Sequence, residues 1–283
     1  MTNSPIPVIT QKQVSEFLAS RPLDSHKGMF GTIAVIGGSN GMVGAALLAG
    51  RASLKMGAGC VHIGLLANNA PGVDIQYPEL MLHNATVALH LPKLSVVAIG
   101  CGMGSSIEAR EILHEVLKLD TPLVLDADAL NLLAKHAELH NQLSTRKNPS
   151  VITPHPGEAA RLLGNCTADV QSSRPESALK LAQLFNCSVV LKGADSLCVT
   201  REGKLWINKT GNPGMSSAGM GDVLSGMIAA FIAQGLSTDS AMMLAVHLHG
   251  AAGDALAQQQ ASIGMTATEV TEWARWLLNQ WNR

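Results

Sequence analysis

The chain has 283 residues, of which 47% are hydrophobic and 14% are charged, and its 20 basic and 21 acidic residues leave a formal net charge of −1. This length allows one large domain or two small ones, with enough apolar residues for a sizeable core. The charge balance excludes the concentrated basic field that nucleic acid or an anionic membrane requires, and the apolar run 227–233 is far too short to span a bilayer. We therefore expect a small polar substrate, and neither a nucleic-acid nor a membrane partner.

The N-terminus and the cysteines indicate a reducing compartment. Residues 1–5 show no basic start followed by an apolar stretch, so we expect no secretory signal. The cysteines form no C-x-x-C pair, and their odd number argues against a disulfide framework. They are Cys60, Cys101, Cys166, Cys187 and Cys198. We expect small buried thiols in a cytoplasmic protein.

Short apolar runs of strand length alternate with helical patterns along the chain, as in layered α/β folds. The runs are nearly continuous, which is typical of parallel strands covered on both faces. They cover residues 32–36, 60–65, 94–99, 122–125, 150–153 and 189–191. Residues 197–208 predict two short strands around a turn, and hence an antiparallel hairpin at one edge of the sheet.

Capping signals mark the helices between these strands. Ser105 begins an S-x-x-E capping box, and a strongly helical pattern starts at Asp222. Ser237 is the expected cap of a second long helix, and Thr266 that of a last helix rich in tryptophan. Because no repeat or long linker interrupts the pattern, we predict a single domain over residues 1–283.

The glycine-rich segment 212–222, which runs directly into a long helix, predicts an anion site. Glycines let the backbone approach a ligand, and the N–H groups and dipole at a helix start favour phosphate. Asp222 has two interpretations at this stage. It is either a general base that takes a proton from a hydroxyl beside the phosphate, or simply a cap of the helix.

Two more glycine clusters, at residues 37–45 and 100–104, each follow a predicted strand. The first does not have the G-x-G-x-x-G spacing of a dinucleotide fingerprint, so a Rossmann-type cofactor site is not expected. Ligands of open α/β sheets collect at the carboxyl ends of strands, where all three clusters lie. Three clusters along one rim favour a binding site over three unrelated turns.

Three further strand ends carry functional groups. Asp128 fits a helix cap, whereas Asp126 is the better candidate for a ligand or metal contact. His155 lies between two prolines that restrict its backbone, and both a functional and a packing role remain open. Residues 192–196 offer an ammonium, a free backbone and a hydroxyl, which suits a nucleotide but also a hairpin turn.

The motifs, taken together, resemble a known family. G-M-G-D at 219–222 is similar to the G-x-G-D signature of the ribokinase-like superfamily. The wider set occurs in one order, from K-G-x-x-G at Lys27 through the glycines of 37–50, D-A-D-A-L, T-P-H-P-G-E and K-G-A to N-P-G-M. This set resembles the ADP/ATP-dependent NAD(P)H-hydrate dehydratases over nearly the whole chain. The resemblance implies a three-layer α/β/α fold with a mostly parallel central sheet.

The resemblance also implies a repair reaction, with ADP or ATP as co-substrate and magnesium as counterion. The S epimer of NADH hydrate or NADPH hydrate is phosphorylated on its ring hydroxyl and loses phosphate, which restores NAD(P)H. Asp222 corresponds to the family's catalytic base, and Glu158 to a glutamate that organises magnesium through water. The hydrate would contact Ala45, Gly102, His155 and Asp222. The adenine nucleotide would contact Lys192, Gly193, Ala194, Asp195, Ser196 and Gly221.

Two positions depart from the family pattern: Met220 and Ser196 stand where threonine is common. Two other functions stay open, a vitamin-type kinase of the same superfamily and a nucleotide-binding module without catalysis. The chain is expected to have no room for the epimerase domain fused to some family members, which makes a separate NAD(P)H-hydrate epimerase its pathway companion. The family further implies a homo-oligomer, possibly a tetramer.

Overall fold

The chain folds around one nine-stranded sheet in the computed structural model, which describes residues 5–260 and 262–282. The strands are β1 (Thr32–Gly37), β2 (Cys60–Leu65), β3 (Met81–Asn84), β4 (Val96–Ile99), β5 (Leu123–Leu125), β6 (Ser150–Ile152), β7 (Ser188–Leu191), β8 (Leu197–Val199) and β9 (Leu205–Ile207). The helices are α1 (Gln11–Ser15), α2 (Val43–Lys55), α3 (Ala85–Leu89), α4 (Ile107–Val116), α5 (Ala127–Lys135), α6 (Ala137–Ser144), α7 (Pro156–Leu163), α8 (Thr167–Ser172), α9 (Arg174–Phe185), α10 (Met220–Ala233), α11 (Thr238–Gln259) and α12 (Ala267–Trp281). Two short 3-10 turns cover Lys27–Phe30 and Pro213–Met215.

The sheet has the order β3-β2-β1-β4-β5-β6-β7-β8-β9. The first seven strands in this order are parallel, and β8 and β9 continue the sheet as an antiparallel hairpin beside β7. The chain moves from β1 to one side of the sheet and from β4 to the other, which creates a switch point between β1 and β4. Ligand crevices of open α/β sheets form at such points.

Both faces of the sheet are buried, as the continuous apolar runs predict. Along β1, Ile33 and Val35 join the core beneath α2 and α10 to α12, whereas Ala34 and Ile36 join the core beneath α3 to α9. The three-layer, mostly parallel α/β/α architecture is therefore confirmed. Among the described residues, none of the helices combines the length and the apolar character that crossing a membrane would need.

Helices α2 and α10 approach each other unusually closely on the first of these faces. A Cβ added at Gly226 would lie 2.0 Å from the carbonyl oxygen of Ala49. The Ser53 hydroxyl donates to that oxygen at 3.0 Å and lies 2.9 Å from the carbonyl oxygen of Gly226. The contact fixes α10, which begins at the proposed anion site, against the helix that follows β1.

The predicted strands agree with the structure to within two residues at each end. The expected hairpin and the caps at Ser237 and Thr266 are confirmed. Strand β3 at the open edge was not predicted, and α4 is capped by Ser106, whose hydroxyl accepts from the N–H of Ala109. The capping box predicted to begin at Ser105 is therefore misplaced by one residue. Cys101, Cys187 and Cys198 are buried, but Cys60 is half-buried and Cys166 is exposed, so the expectation of five buried thiols is also wrong.

The tryptophans lie away from the strand ends that carry the glycine clusters. Trp273 and Trp276 contact each other edge to face on α12, with ring centroids 5.6 Å apart. Trp281, at the end of the same helix, lies 5.8 Å from the ring of His247. The fourth, Trp206, belongs to β9 at the hairpin edge.

Candidate active site

Asp222 lies in the first turn of α10 but does not cap it. The cap is Gly219, whose φ of 88° places it in the left-handed region that favours glycine. Asp222 is the third residue of the helix, so its carboxyl group is not committed to the cap position. The helix-cap interpretation of Asp222 is therefore wrong, and the carboxyl group is available for chemistry.

Two other polar side chains share this carboxyl group's surroundings. One ligand atom from each of Cys101, Asp126 and Asp222 lies within 4.8 Å of the other two. Burial raises the pKa of Asp222 to about 6, the Asp126 charge raises it too, and Cys101 and Lys192 oppose the rise. A carboxyl group with a pKa of about 6 is ionised at neutral pH and more basic than an ordinary aspartate, as a general base requires.

Asp126, rather than Asp128, caps helix α5. The Asp126 side chain accepts from the N–H of Ala127 at 2.9 Å, and Ala127 has a positive φ of 46°. Asp128 lies inside the helix and accepts from the N–H of Gly104 at 2.9 Å. The expectation for Asp128 is therefore wrong by two positions, because the helix begins at Ala127, two residues earlier than a cap at Asp128 requires.

Lys192 connects Asp126 to the other polar groups of the site. Its Nζ donates to Asp126 Oδ1 at 2.6 Å and lies 3.9 Å from Glu158 Oε2. A Cβ at Gly221 would lie 3.1 Å from this Nζ, so the ammonium sits directly beside the start of α10. Despite burial, the Lys192 charge holds the pKa of Asp126 below its usual value.

The cluster does not fit magnesium as a set of direct ligands. Mg²⁺ prefers oxygen ligands, and burial raises the pKa of the Cys101 thiol, which keeps it protonated. Asp126 already accepts hydrogen bonds from Lys192, Ser225 and its own helix. Magnesium in phosphoryl-transfer sites commonly uses substrate phosphates together with only one or two carboxylates.

His155 caps helix α7 and is paired with Glu158. Its Nδ1 accepts from the N–H of Gly157 at 3.0 Å, and its own N–H donates to Glu158 Oε2 at 2.8 Å. His155 Nε2 lies 3.2 Å from Glu158 Oε1, so both oxygens of this buried glutamate have partners. Burial, followed by the charges of Lys192 and Arg161, lowers the pKa of His155. At neutral pH the ring is therefore an uncharged group fixed at the strand end.

Gly102 and Ala45 lie together at the switch point between β1 and β4. A Cβ at Gly102 would lie 3.0 Å from the Cβ of Ala45 and 2.8 Å from the carbonyl oxygen of Met42, and its φ is 61°. The carbonyl oxygen of Gly102 accepts from the N–H of Ser39 at 2.7 Å. Gly102 directly follows Cys101, whose thiol belongs to the cluster with Asp126 and Asp222.

Residues 192–196 form one wall of a cavity of about 570 Å³. Arg174 stabilises this loop by donating to the carbonyl oxygens of Leu191, Lys192 and Asp195 at 3.2–3.4 Å. The Ser196 hydroxyl donates to the carbonyl oxygen of Gly193 at 3.0 Å. Gly221 and Met220 at the start of α10 line the same cavity, so the two predicted nucleotide segments face one space.

The cavity is also lined by residues 208–213, 215 and 216, of which 208–211 were not singled out by the sequence analysis. Asp254 of α11 holds this segment by accepting from Gly211 N at 2.9 Å and Asn212 Nδ2 at 3.0 Å. His249 of α11 also lines the cavity, and burial lowers its pKa to about 4. Cys101 and Ser225 are two further site residues without a sequence signal. Only the helical spacing of three between Asp222 and Ser225 could have suggested the second.

Comparison with known proteins agrees with this geometry. The family model described as NAD(P)H-hydrate dehydratase matches residues 33–275. The ADP-dependent (S)-NAD(P)H-hydrate dehydratase of Neisseria meningitidis serogroup B is 41% identical over 92% of this chain and 89% of its own length. The bifunctional NAD(P)H-hydrate repair enzyme of Escherichia coli is 40% identical over 92% of this chain, which spans half of that longer protein.

A solved structure shows the same fold. The crystal structure of the ADP/ATP-dependent NAD(P)H-hydrate dehydratase of Bacillus subtilis, co-crystallised with ATP/Mg²⁺, has 30% sequence identity and a TM-score of 0.88. The match covers 99% of this chain and all of that one. The ordered motifs, the fold and these matches lead to one conclusion: the chain belongs to the NAD(P)H-hydrate dehydratase family.

Proposed function

We propose that this protein is an ADP-dependent hydro-lyase that removes water from the S epimer of NADH hydrate and NADPH hydrate and restores the dihydronicotinamide. The observation that carries the proposal is the Asp222 carboxyl group, with its pKa raised to about 6 at the start of α10. Cys101, which directly precedes Gly102, has an atom within 4.8 Å of this group, and Gly221, which directly precedes Asp222, lines the cavity bordered by residues 192–196. The substrate and the adenine nucleotide of the family's named members supply the two ligands.

The first step is phosphoryl transfer. Asp222 takes the proton of the ring hydroxyl, whose oxygen forms a bond to the terminal phosphorus of ADP while the bond from that phosphorus to the AMP oxygen breaks. The N–H groups at Gly221 and the positive end of the α10 dipole stabilise the charge on the transferred group. Met220 offers no hydroxyl here, so the backbone and the Lys192 ammonium supply this stabilisation.

The second step is elimination. The bond between the ring carbon and the phosphate oxygen breaks, phosphate leaves with the electron pair, and the neighbouring ring carbon loses a proton to the departing phosphate as the double bond forms. Phosphate is a far better leaving group than hydroxide, which explains why a nucleotide is consumed to remove water. The products are NAD(P)H, AMP and phosphate.

The neutral His155 ring and the pair Gly102–Ala45 form the side of the site assigned to the hydrate. Each of these groups lies within the polar network or the switch point that borders Asp222. The small side chains leave room for a flat ring, and the partly exposed His155 ring, whose two nitrogens are held by the start of α7 and by Glu158, offers an uncharged surface. Residues 192–196 and Gly221 form the nucleotide side.

The remaining parts of the proposal concern the protein as a whole. It forms a single domain over residues 1–283, supported by the one continuous sheet in the described residues. It works in the cytoplasm, supported by cysteines that are all free in the structure, and it assembles as a homo-oligomer by resemblance to the family. Magnesium accompanies the nucleotide phosphates. An NAD(P)H-hydrate epimerase is the pathway companion, an assignment supported by the longer relatives that are named bifunctional repair enzymes.

The Asp222→Asn variant tests the proposal. NADH hydrate is incubated with ADP, and the return of the dihydronicotinamide absorption band is followed. We expect activity to fall by about 10³-fold, the usual contribution of a general base, while calorimetry shows ADP binding unchanged. Full activity in this variant would remove Asp222 from the mechanism. In the native protein, phosphorylation of pyridoxal or hydroxyethylthiazole without repair of the hydrate would favour a kinase instead.

Asp239→Asn is the matched control. Asp239 also lies in the first turn of a long helix, and burial also raises its pKa. It accepts from the Ser188 hydroxyl at 2.7 Å and lies outside the cavity lining. We therefore expect this variant to keep the activity of the native protein.

A further inference from the structure

Two carboxyl groups and one ammonium lie close together where β4, β5 and β7 end beside α10. Asp222 is the proposed base, Lys192 borders the nucleotide cavity, and Asp126 lies near both. A free ammonium and a free carboxylate in such a site attract each other strongly, since burial weakens the screening by water. The structure must therefore prevent Lys192 from pairing with the base.

The Asp126 side chain is occupied mainly by protein donors. Its Oδ1 accepts from Lys192 Nζ at 2.6 Å and from Ala127 N at 2.9 Å, and its Oδ2 accepts from Ser225 Oγ at 2.8 Å. The residue is only 2% exposed. These contacts assign Asp126 a structural role in the site, and the expectation that it contacts a ligand or metal stays a prediction.

Asp126 decides which carboxylate the ammonium pairs with. Among the described side chains, the ion pairs of Lys192 join it to Asp126 at 2.6 Å and to Glu158 at 3.9 Å, and none joins it to Asp222. Ser225, one helical turn after Asp222, fixes the other oxygen of Asp126. The ammonium is therefore held on Asp126 Oδ1, beside Gly221 at the start of α10 but outside ion-pair distance of Asp222.

We propose that Asp126 is a positioning residue for the dehydration reaction, which holds the Lys192 ammonium away from Asp222 so that the base stays unpaired and basic. The inference rests on the proposed function, but its physical content, the pairing of one ammonium, can be measured without turnover. The negative charge of Asp126 also makes Asp222 more basic directly, because it raises the pKa of the Asp222 carboxyl group.

The charged and titratable groups that face Asp222 come from four elements. Asp126 and Asp128, at the end of β5 and in α5, raise its pKa in addition to burial, whereas Cys101 after β4 and Lys192 after β7 lower it. Asp126→Asn removes the Asp126 charge, which raises the pKa of Asp222, and frees the Lys192 charge, which lowers it. Because both changes lower this pKa, the Asp222 carboxyl group should become more acidic.

The experiment measures the titration of the Asp222 carboxyl carbon by ¹³C NMR in the nucleotide-free protein, with the signal assigned from the Asp222→Asn variant. In Asp126→Asn we expect the midpoint to fall by about one to two pH units, the usual effect of an opposite charge at close range. The acidic limb of the pH profile of kcat/KM for hydrate repair should shift to lower pH by the same amount. The value of kcat should fall because the base is weaker. Ser225→Ala is the control, since it removes a hydrogen bond to Asp126 but keeps the charge, and its midpoint should stay close to that of the native protein.

The double variant Asp126→Asn/Lys192→Met separates positioning from mere structural support. It removes the ammonium as well as the carboxylate, so the Asp222 midpoint should return towards the native value. This variant also leaves no unpaired ammonium, so it stays informative where Asp126→Asn alone does not fold. An unchanged midpoint in the single variant, or a double variant with a midpoint well below that of the native protein, would overturn the proposal. Absence of hydrate repair by the native protein, together with the expected midpoints, would instead contradict only the proposed function.

Discussion

The close contact between α2 and α10 makes Gly226 a sensitive position, and Gly226→Ala is a strict test of it. The new Cβ would lie 2.0 Å from the carbonyl oxygen of Ala49, 2.8 Å from its carbonyl carbon and 3.0 Å from its Cα. All three are backbone atoms of a packed helix, so no side chain can turn away. An ordinary contact begins at 3.4 Å, so the two helices must separate by more than 1 Å.

The cost of this separation has two parts. Overpacking of a close core contact costs about 1–3 kcal/mol, and the Ser53 hydroxyl, which bridges Ala49 and Gly226, loses a hydrogen bond worth about 1 kcal/mol. We expect a loss of about 3 kcal/mol, which for a chain of this length lowers the melting temperature by about 5 °C. Because Asp222 lies one turn before Gly226 on the same helix, repair activity should fall by about 10-fold or more at temperatures where the variant is folded.

Thermal unfolding followed by circular dichroism measures the first effect, and the hydrate-repair assay measures the second. Gly44→Ala is the matched control, because Gly44 lies in α2 with no atom within 4 Å of its added Cβ. Its melting temperature should be unchanged or slightly higher, since alanine favours helix over glycine. A Gly226→Ala protein with the same melting temperature as the Gly44→Ala control would refute the close packing of α2 and α10.

Three shorter predictions follow from the site and its surroundings. The pKa of Asp222 is raised to about 6, and the base must be ionised to act. We therefore expect kcat/KM to be constant above pH 7 and to fall about tenfold per pH unit well below pH 6. A flat profile down to pH 5 would contradict the assignment of Asp222 as the base. In Gly221→Ala the added methyl would lie 3.1 Å from Lys192 Nζ, so calorimetry should show ADP binding weakened by about tenfold, with the melting temperature nearly unchanged. Arg51→Met leaves the buried Asp74 carboxylate without its two bonds of 2.7 and 2.8 Å, and urea unfolding should show a loss of about 3 kcal/mol; a loss below 1 kcal/mol would show that the pair is dispensable.

Much of the fold can be predicted from the sequence because the strands are covered on both faces. A doubly buried strand is a continuous apolar run, and the prediction for 60–65 matches β2 at both ends. Strand β3 has no such signal, since its four residues are half-buried or exposed and include a histidine and an asparagine. It is held by pairing with β2, a long-range contact that local sequence does not encode.

The site divides in the same way. The glycine segments and Asp222 have strong local signals, since close backbone approach and a helix start require particular residue types. The cap of α5 was placed at Asp128 rather than Asp126 because the helix begins at Ala127 with a positive φ, an uncommon conformation for alanine. Cys101 and His249 reach the site through tertiary packing from separate parts of the chain, and no spacing along the sequence joins them to Asp222.

The placement of the tryptophans has a practical consequence for spectroscopy. Three of the chain's four lie on α12, the fourth lies on the hairpin edge, and none lines the nucleotide cavity. Intrinsic emission therefore monitors the docking of the C-terminal helix and is nearly silent to occupancy of the site. A fluorescent adenine analogue can report on the cavity without competing with a nearby indole.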